Sequence, residues 1–107
     1  MTEAENWQII GDLLNRAGGQ VGETLDHPST LNPDEWSNWT WETEPQGDKQ
    51  SVTLKHWKDQ YDFDREQLTI PFPPILTEGE QAAFVNNALE KINLLRSRAT
   101  RPPAAAG

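Results

Sequence analysis

His27 and His56 are the two imidazoles of the chain, and it has no cysteine. Either histidine could join a nearby carboxylate, Asp26, Asp59 or Asp62, as a metal ligand. No spacing singles out such a set. His56 alternates in phase with Val52 and Leu54, which reads as a partly buried structural position. Asp59, Asp62, Asp64 and Glu66 form an acidic run. An EF-hand calcium loop needs Gly at its sixth position and Glu at its twelfth. Counted from Asp62, those positions hold Gln67 and Pro73, so the run reads as a solvated turn. Two carboxylates can share general acid and base work, but nothing marks out one pair among 17 Asp and Glu.

Other motifs fail in equally specific ways. Gly18-Gly19-Gln20-Val21-Gly22 follows a helical pattern, whereas a phosphate-cradling loop follows a strand and opens a helix. Ser29, Thr30 and Ser51 have no nucleophile elbow around them. Lys55-His56-Trp57-Lys58 mixes base and aromatic as a single-strand binder does. Asp59 and a net charge of -8 oppose a grip on phosphate backbones. Asn38-Trp39-Thr40 matches a glycosylation sequon, read as chance in the absence of a secretion signal. The expectation is therefore no catalytic, cofactor-binding or metal residue, no cofactor and no direct nucleic-acid contact.

The denser constellation is Pro33-Asp34-Glu35-Trp36-Ser37-Asn38-Trp39-Thr40-Trp41-Glu42, which interleaves carboxylates with three tryptophans. It lies in the half of the chain that holds the acidity. Residues 1–48 carry ten acidic groups against Arg16 alone, net -9, while residues 49–107 carry seven acidic and eight basic groups, net +1. Trp is enriched at binding hot spots, and charge complementarity speeds encounter with an oppositely charged surface. Trp36 differs in parity from Trp39 and Trp41, so a straight strand cannot point all three rings one way. Asp34, Glu35, Trp36, Trp39, Glu42 and Glu44 are the candidate partner-binding residues. The competing reading makes the indoles core and the carboxylates a solubilising surface.

The elements that must position these groups follow from periodicity. Trp7, Ile10, Leu14 and Ala17 fall on one helical face over residues 3–17, and Gly18-Gly19 reads as its stop. Gly11 would let another element approach closely. Residues 18–35 are irregular, with Val21, Leu25 and Leu31 available to pin them to a core. Residues 36–44 and 51–58 alternate as the strands of a hairpin, joined by the turn signal Pro45-Gln46-Gly47-Asp48. A third extended segment runs from Tyr61 to Phe72, with Pro71, Pro73 and Pro74 placing it at a sheet edge. Thr77-Glu78-Gly79-Glu80 is a capping box for a helix reaching about Arg98.

The expected fold is a single α+β domain over residues 1–99, in the order α-β-β-β-α. A three-stranded antiparallel meander would carry both helices on one face. Residues 100–107 are expected to form a disordered tail. Ile, Leu, Val and Phe supply only 21 of 107 residues, so the core should depend on the five Trp. No apolar run is long enough to span a membrane, Met1 to Ala17 lacks the pattern of a signal peptide, and the absence of cysteine fits a cytoplasmic setting.

Function is read as a small non-catalytic protein-binding module. It would be an accessory, adaptor or inhibitor that docks on a basic protein surface and not on a membrane. A nucleic-acid mimic is one version. The alternative is a small enzyme or ligand-binding fold with a pocket between sheet and helices, using His56, Tyr61 and Asp62 as polar groups. A homo-oligomer burying its Trp face is a third.

Overall fold

The computed structural model describes residues 2–100. Helix α1 (Glu3–Gly19) leads through an irregular segment and a short 3₁₀ turn (Pro28–Thr30) into strands β1 (Trp39–Gln46), β2 (Lys49–Trp57) and β3 (Phe63–Pro71). Helix α2 (Glu78–Thr100) follows. The strands form one antiparallel sheet in the order β1-β2-β3. The α-β-β-β-α fold is therefore as the periodicity predicts, and both helices pack on the same sheet face.

Alternation decides which face that is. Trp39 and Trp41 of β1, Val52 and Leu54 of β2, and Leu68 and Ile70 of β3 point inward and are buried. They meet Ile10, Leu13, Leu14 and Ala17 of α1 and the Phe84, Ala88, Ile92 and Leu95 row of α2. Fully burying one such aliphatic side chain contributes about 1.5–3 kcal/mol. Gly11 sits where Trp41 comes closest, since a Cβ there would lie 3.3 Å from the indole Cζ2. The half-buried Trp7 and Ile9 pack at the margin of this core.

Several boundaries differ from expectation. Helix α1 continues through Gly18 and Gly19. A Cβ on Gly18 would meet the Glu23 carbonyl oxygen at 2.6 Å, so this glycine serves close backbone approach and not termination. The chain turns instead at Gly22, whose φ of 77° is left-handed. Strand β1 starts at Trp39, because Asn32 to Glu35 form a turn closed by Glu35 N–H donating to the Asn32 carbonyl, and residues 36–38 stay irregular. Pairing runs to Gln46 and Lys49, which leaves a two-residue turn with Gly47 at φ 71°. Pro45 is tolerated inside β1 because β1 is an edge strand.

Strand β3 starts at Phe63, since the Asp59 carboxylate accepts hydrogen bonds from the Tyr61 and Asp62 N–H groups and closes the second turn. The expected box caps α2. Glu80 N–H donates to Thr77 Oγ1 at 3.2 Å, and Thr77 N–H donates to Glu80 Oε1 at 3.0 Å. The hydrogen bond from Thr77 N–H, helped by the Thr77 hydroxyl, holds the Glu80 carboxyl pKa below its ordinary value. Thr100 belongs to α2, and the rest of the expected tail, residues 101–107, lies outside the described residues.

Candidate binding cleft

The edge of β1 is where local structure leaves room. Thr2 caps α1 by accepting from Glu5 N–H at 3.1 Å, which sets Glu3, Asn6 and Trp7 on its first two turns. Leu25 N–H donates to Asn15 Oδ1 at 2.8 Å and so fastens the segment after α1 back onto the helix. Asp26 then makes a single parallel bridge to Thr40, through Asp26 N–H to the Trp39 carbonyl and Trp41 N–H to the Asp26 carbonyl. That bridge delivers His27 between two indoles. Its ring stacks on Trp7 at 4.0 Å and meets Trp41 edge-on at 4.8 Å.

Ser29 fixes the orientation of this imidazole. Its N–H donates to His27 Nδ1 at 3.1 Å, so the neutral ring carries its proton on Nε2. Burial holds the His27 pKa below its ordinary value, while Glu42 and Glu3 pull it upward. The Trp7–His27 stack is a ridge shared by two clefts, of about 620 and 530 Å³.

The larger cleft runs from the start of α1 across the β1 edge to Phe72. Glu3, Glu42 and Glu44 line it, Glu42 and Glu44 from β1 positions out of phase with the inward Trp39 and Trp41, and among the described residues no Lys or Arg does. Glu42 is held by Lys55 Nζ at 2.7 Å from the outer sheet face. Among the described residues, Glu3 and Glu44 have no ion-pair partner. The floor is a buried amide pair. Asn6 Nδ2 donates to Gln50 Oε1 at 3.0 Å, and Gln50 Nε2 donates to Asn6 Oδ1 at 2.8 Å. Phe72 stands half exposed at the far rim.

The expected contact residues separate here. Glu42 and Glu44 line the cleft. Asp34, Glu35 and Trp36 are exposed on the loop before β1 and do not line it, and Trp36 is 49 % accessible. The placement of Trp39 on the shared surface is corrected: it is 3 % exposed and lies 4.5 Å from the His56 ring, because its parity points it inward. Trp41 is sealed for the same reason. Trp57 lies on the outer sheet face, donates from Nε1 to Thr40 Oγ1 at 2.9 Å and tilts against Phe63.

The groups considered for a small-molecule pocket do not converge. Tyr61 is 89 % exposed, Asp62 lies on the second turn, and His56 faces Trp39. None of the three lines either cleft. Nδ1 of His56 is buried without a hydrogen-bond partner among the described residues. Burial lowers the His56 pKa, opposed by Glu23 and Asp64, with Lys58 adding to the lowering. Of the acidic run, Asp62 and Asp64 face Lys58, and Glu66 receives Lys91 and Arg98. No group of three or more His, Asp and Glu with metal-holding geometry occurs among the described residues.

Sequence reasoning missed Glu3, Trp7, His27 and Phe72 as cleft residues. Two signals bore on them: the early carboxylate of α1, and an indole at the margin of its apolar stripe. Comparison with protein-family models, curated proteins and solved structures finds no match.

Proposed function

We propose that this protein is a small non-catalytic binding module that docks on a basic surface of another protein through the β1 side of its sheet. It would act there as an accessory, adaptor or inhibitor. The observation that carries this reading is a cleft lined by Glu3, Glu42 and Glu44 and walled by Trp7, with no Lys or Arg in its lining among the described residues. Carboxylates speed encounter with a basic partner and set its register. Trp7 and Phe72 offer the aromatic area that binding energy concentrates on. Asp34, Glu35 and the half-exposed Trp36 add acidic and aromatic surface on the preceding loop. Mimicry of a nucleic acid, occupying a surface that otherwise holds phosphates, is one form of this activity.

Paired affinity capture tests it. The wild-type chain and a Glu3→Gln, Glu42→Gln, Glu44→Gln variant are immobilised, and lysate is applied at low and at high salt. The reading expects basic proteins that the wild type retains, salt releases and the variant fails to hold. Identical retention by both chains, or retention indifferent to salt, overturns it.

A further inference from the structure

The chemistry of the larger cleft selects among cations. Its floor is rich in acceptors. Of the four amide N–H bonds on Asn6 and Gln50, three are committed, one from Asn6 to Gln50, one from Gln50 to Asn6 and one from Gln50 to the Pro71 carbonyl. Each amide oxygen takes part in one of these bonds and keeps a second lone pair. Glu3 and Glu44 add carboxylates with no ion-pair partner among the described residues. Against these acceptors stand one uncommitted Asn6 N–H and the His27 Nε2–H, so the balance favours a ligand rich in donors.

Trp7 lines the cleft with one indole face covered by His27, stacked at 4.0 Å with the planes 27° apart, which leaves the opposite face for a ligand. A planar guanidinium can lie against an aromatic face while its five N–H groups reach several acceptors at once. An ammonium is a compact, strongly hydrated point charge with three donors. A volume of about 620 Å³ accommodates a side chain together with part of its own backbone.

We infer that the cleft between α1 and the β1 edge is a receptor for an arginine side chain presented by the protein partner, its guanidinium lying against Trp7 and donating to Glu3, Glu44 and the Asn6–Gln50 amides. This rests on the docking reading above and names the residue that reading leaves open.

Amide and indole NMR spectra of the full chain, titrated with N-acetyl-arginine amide, N-acetyl-lysine amide and the neutral isostere N-acetyl-citrulline amide, test it. Arginine is expected to shift the Trp7 indole N–H and the Asn6 and Gln50 side-chain amides saturably and at lower concentration than lysine. Citrulline should leave them in place. Glu3→Gln with Glu44→Gln should weaken the arginine response about tenfold or more. Glu66→Gln, remote from the cleft, should keep the wild-type response and so controls for any loss of fold.

Equal responses to arginine and lysine, an arginine response unchanged by Glu3→Gln with Glu44→Gln, or no shift at these groups overturns the assignment. Salt-sensitive capture of basic proteins alongside any of those results leaves docking standing without an arginine receptor. Loss of capture with the arginine shifts intact removes the docking reading alone.

Discussion

The two edges of the sheet carry the same kinds of charged residue and spend them differently. Along β3, Glu66 faces the helix layer and receives Lys91 at 3.6 Å and Arg98 at 2.8 Å from α2. Lys58 answers Asp62 and Asp64 at the turn that leads into that strand. Along β1, Glu44 and the Glu3 that lines the same cleft have no ion-pair partner among the described residues, and the space between α1 and the strand stays open. Like charges left together weaken a compact state, whereas paired ones help dock an element. One edge is thus built as fold, and the other keeps carboxylates that the fold does not use.

Tryptophan truncation should split the two uses most sharply. Trp41→Ala removes a ring sealed between α1 and the sheet and should cost about 3–5 kcal/mol in chemical denaturation. Trp36→Ala should stay within about 0.5 kcal/mol, as exposed positions do. Equal losses would mean that the exposed indole also supports the fold.

The glycines at the end of α1 make a second pair. Gly18→Ala drives a Cβ against the Glu23 carbonyl oxygen at 2.6 Å and should cost about 1–3 kcal/mol. Gly19→Ala meets open space in a helical conformation and should stabilise by about 0.4–1 kcal/mol. Both are read from urea midpoints.

Charge removal addresses the two edges themselves. Glu66→Gln should lose about 1 kcal/mol, since it breaks both contacts to α2. Glu44→Gln should leave stability unchanged or slightly raised, because it relieves repulsion and breaks no ion pair. A loss in Glu44→Gln matching that in Glu66→Gln would erase the distinction.

Acid gives the smallest effect. His27 and His56 both have folded pKa values below the ordinary 6.5. Between 6.5 and those depressed values the unfolded chain binds more protons, so stability rises with pH there. Their full contribution is present above 6.5 and is lost as pH falls through the folded values. The melting temperature should therefore decline on acidification below that point, with a smaller decline in His56→Gln. Protonating His27 also adds a positive charge beside Glu3 and Glu42, so arginine binding should weaken over the same range.

Much of the fold is legible because one face of each element is buried. Period-2 alternation places Trp39, Trp41, Val52 and Leu54 inward, and the period of α2 places Phe84, Ala88, Ile92 and Leu95. Thr77 with Glu80 announces the start of α2, and Thr2 with Glu5 has the same spacing and caps α1. The end of α1 is less legible because Gly18 looks like a stop, while its real constraint is a carbonyl five residues on. The site is half legible for a related reason. Glu42 and Glu44 belong to a strand whose phase is readable, but the groups opposite them do not. Glu3 and Trp7 reach the cleft through helix packing, and His27 through one isolated bridge from Asp26. Trp39 misleads because composition marks it as a contact residue and parity buries it.

Amide hydrogen exchange compares the two edges most directly, with the chain measured alone and then in complex with a basic protein recovered by capture. New protection is expected at residues 3–7 and 42–45, with β3 and α2 unchanged. Protection confined to Phe63–Pro71 or α2, with the β1 edge exchanging as in the free chain, would contradict it.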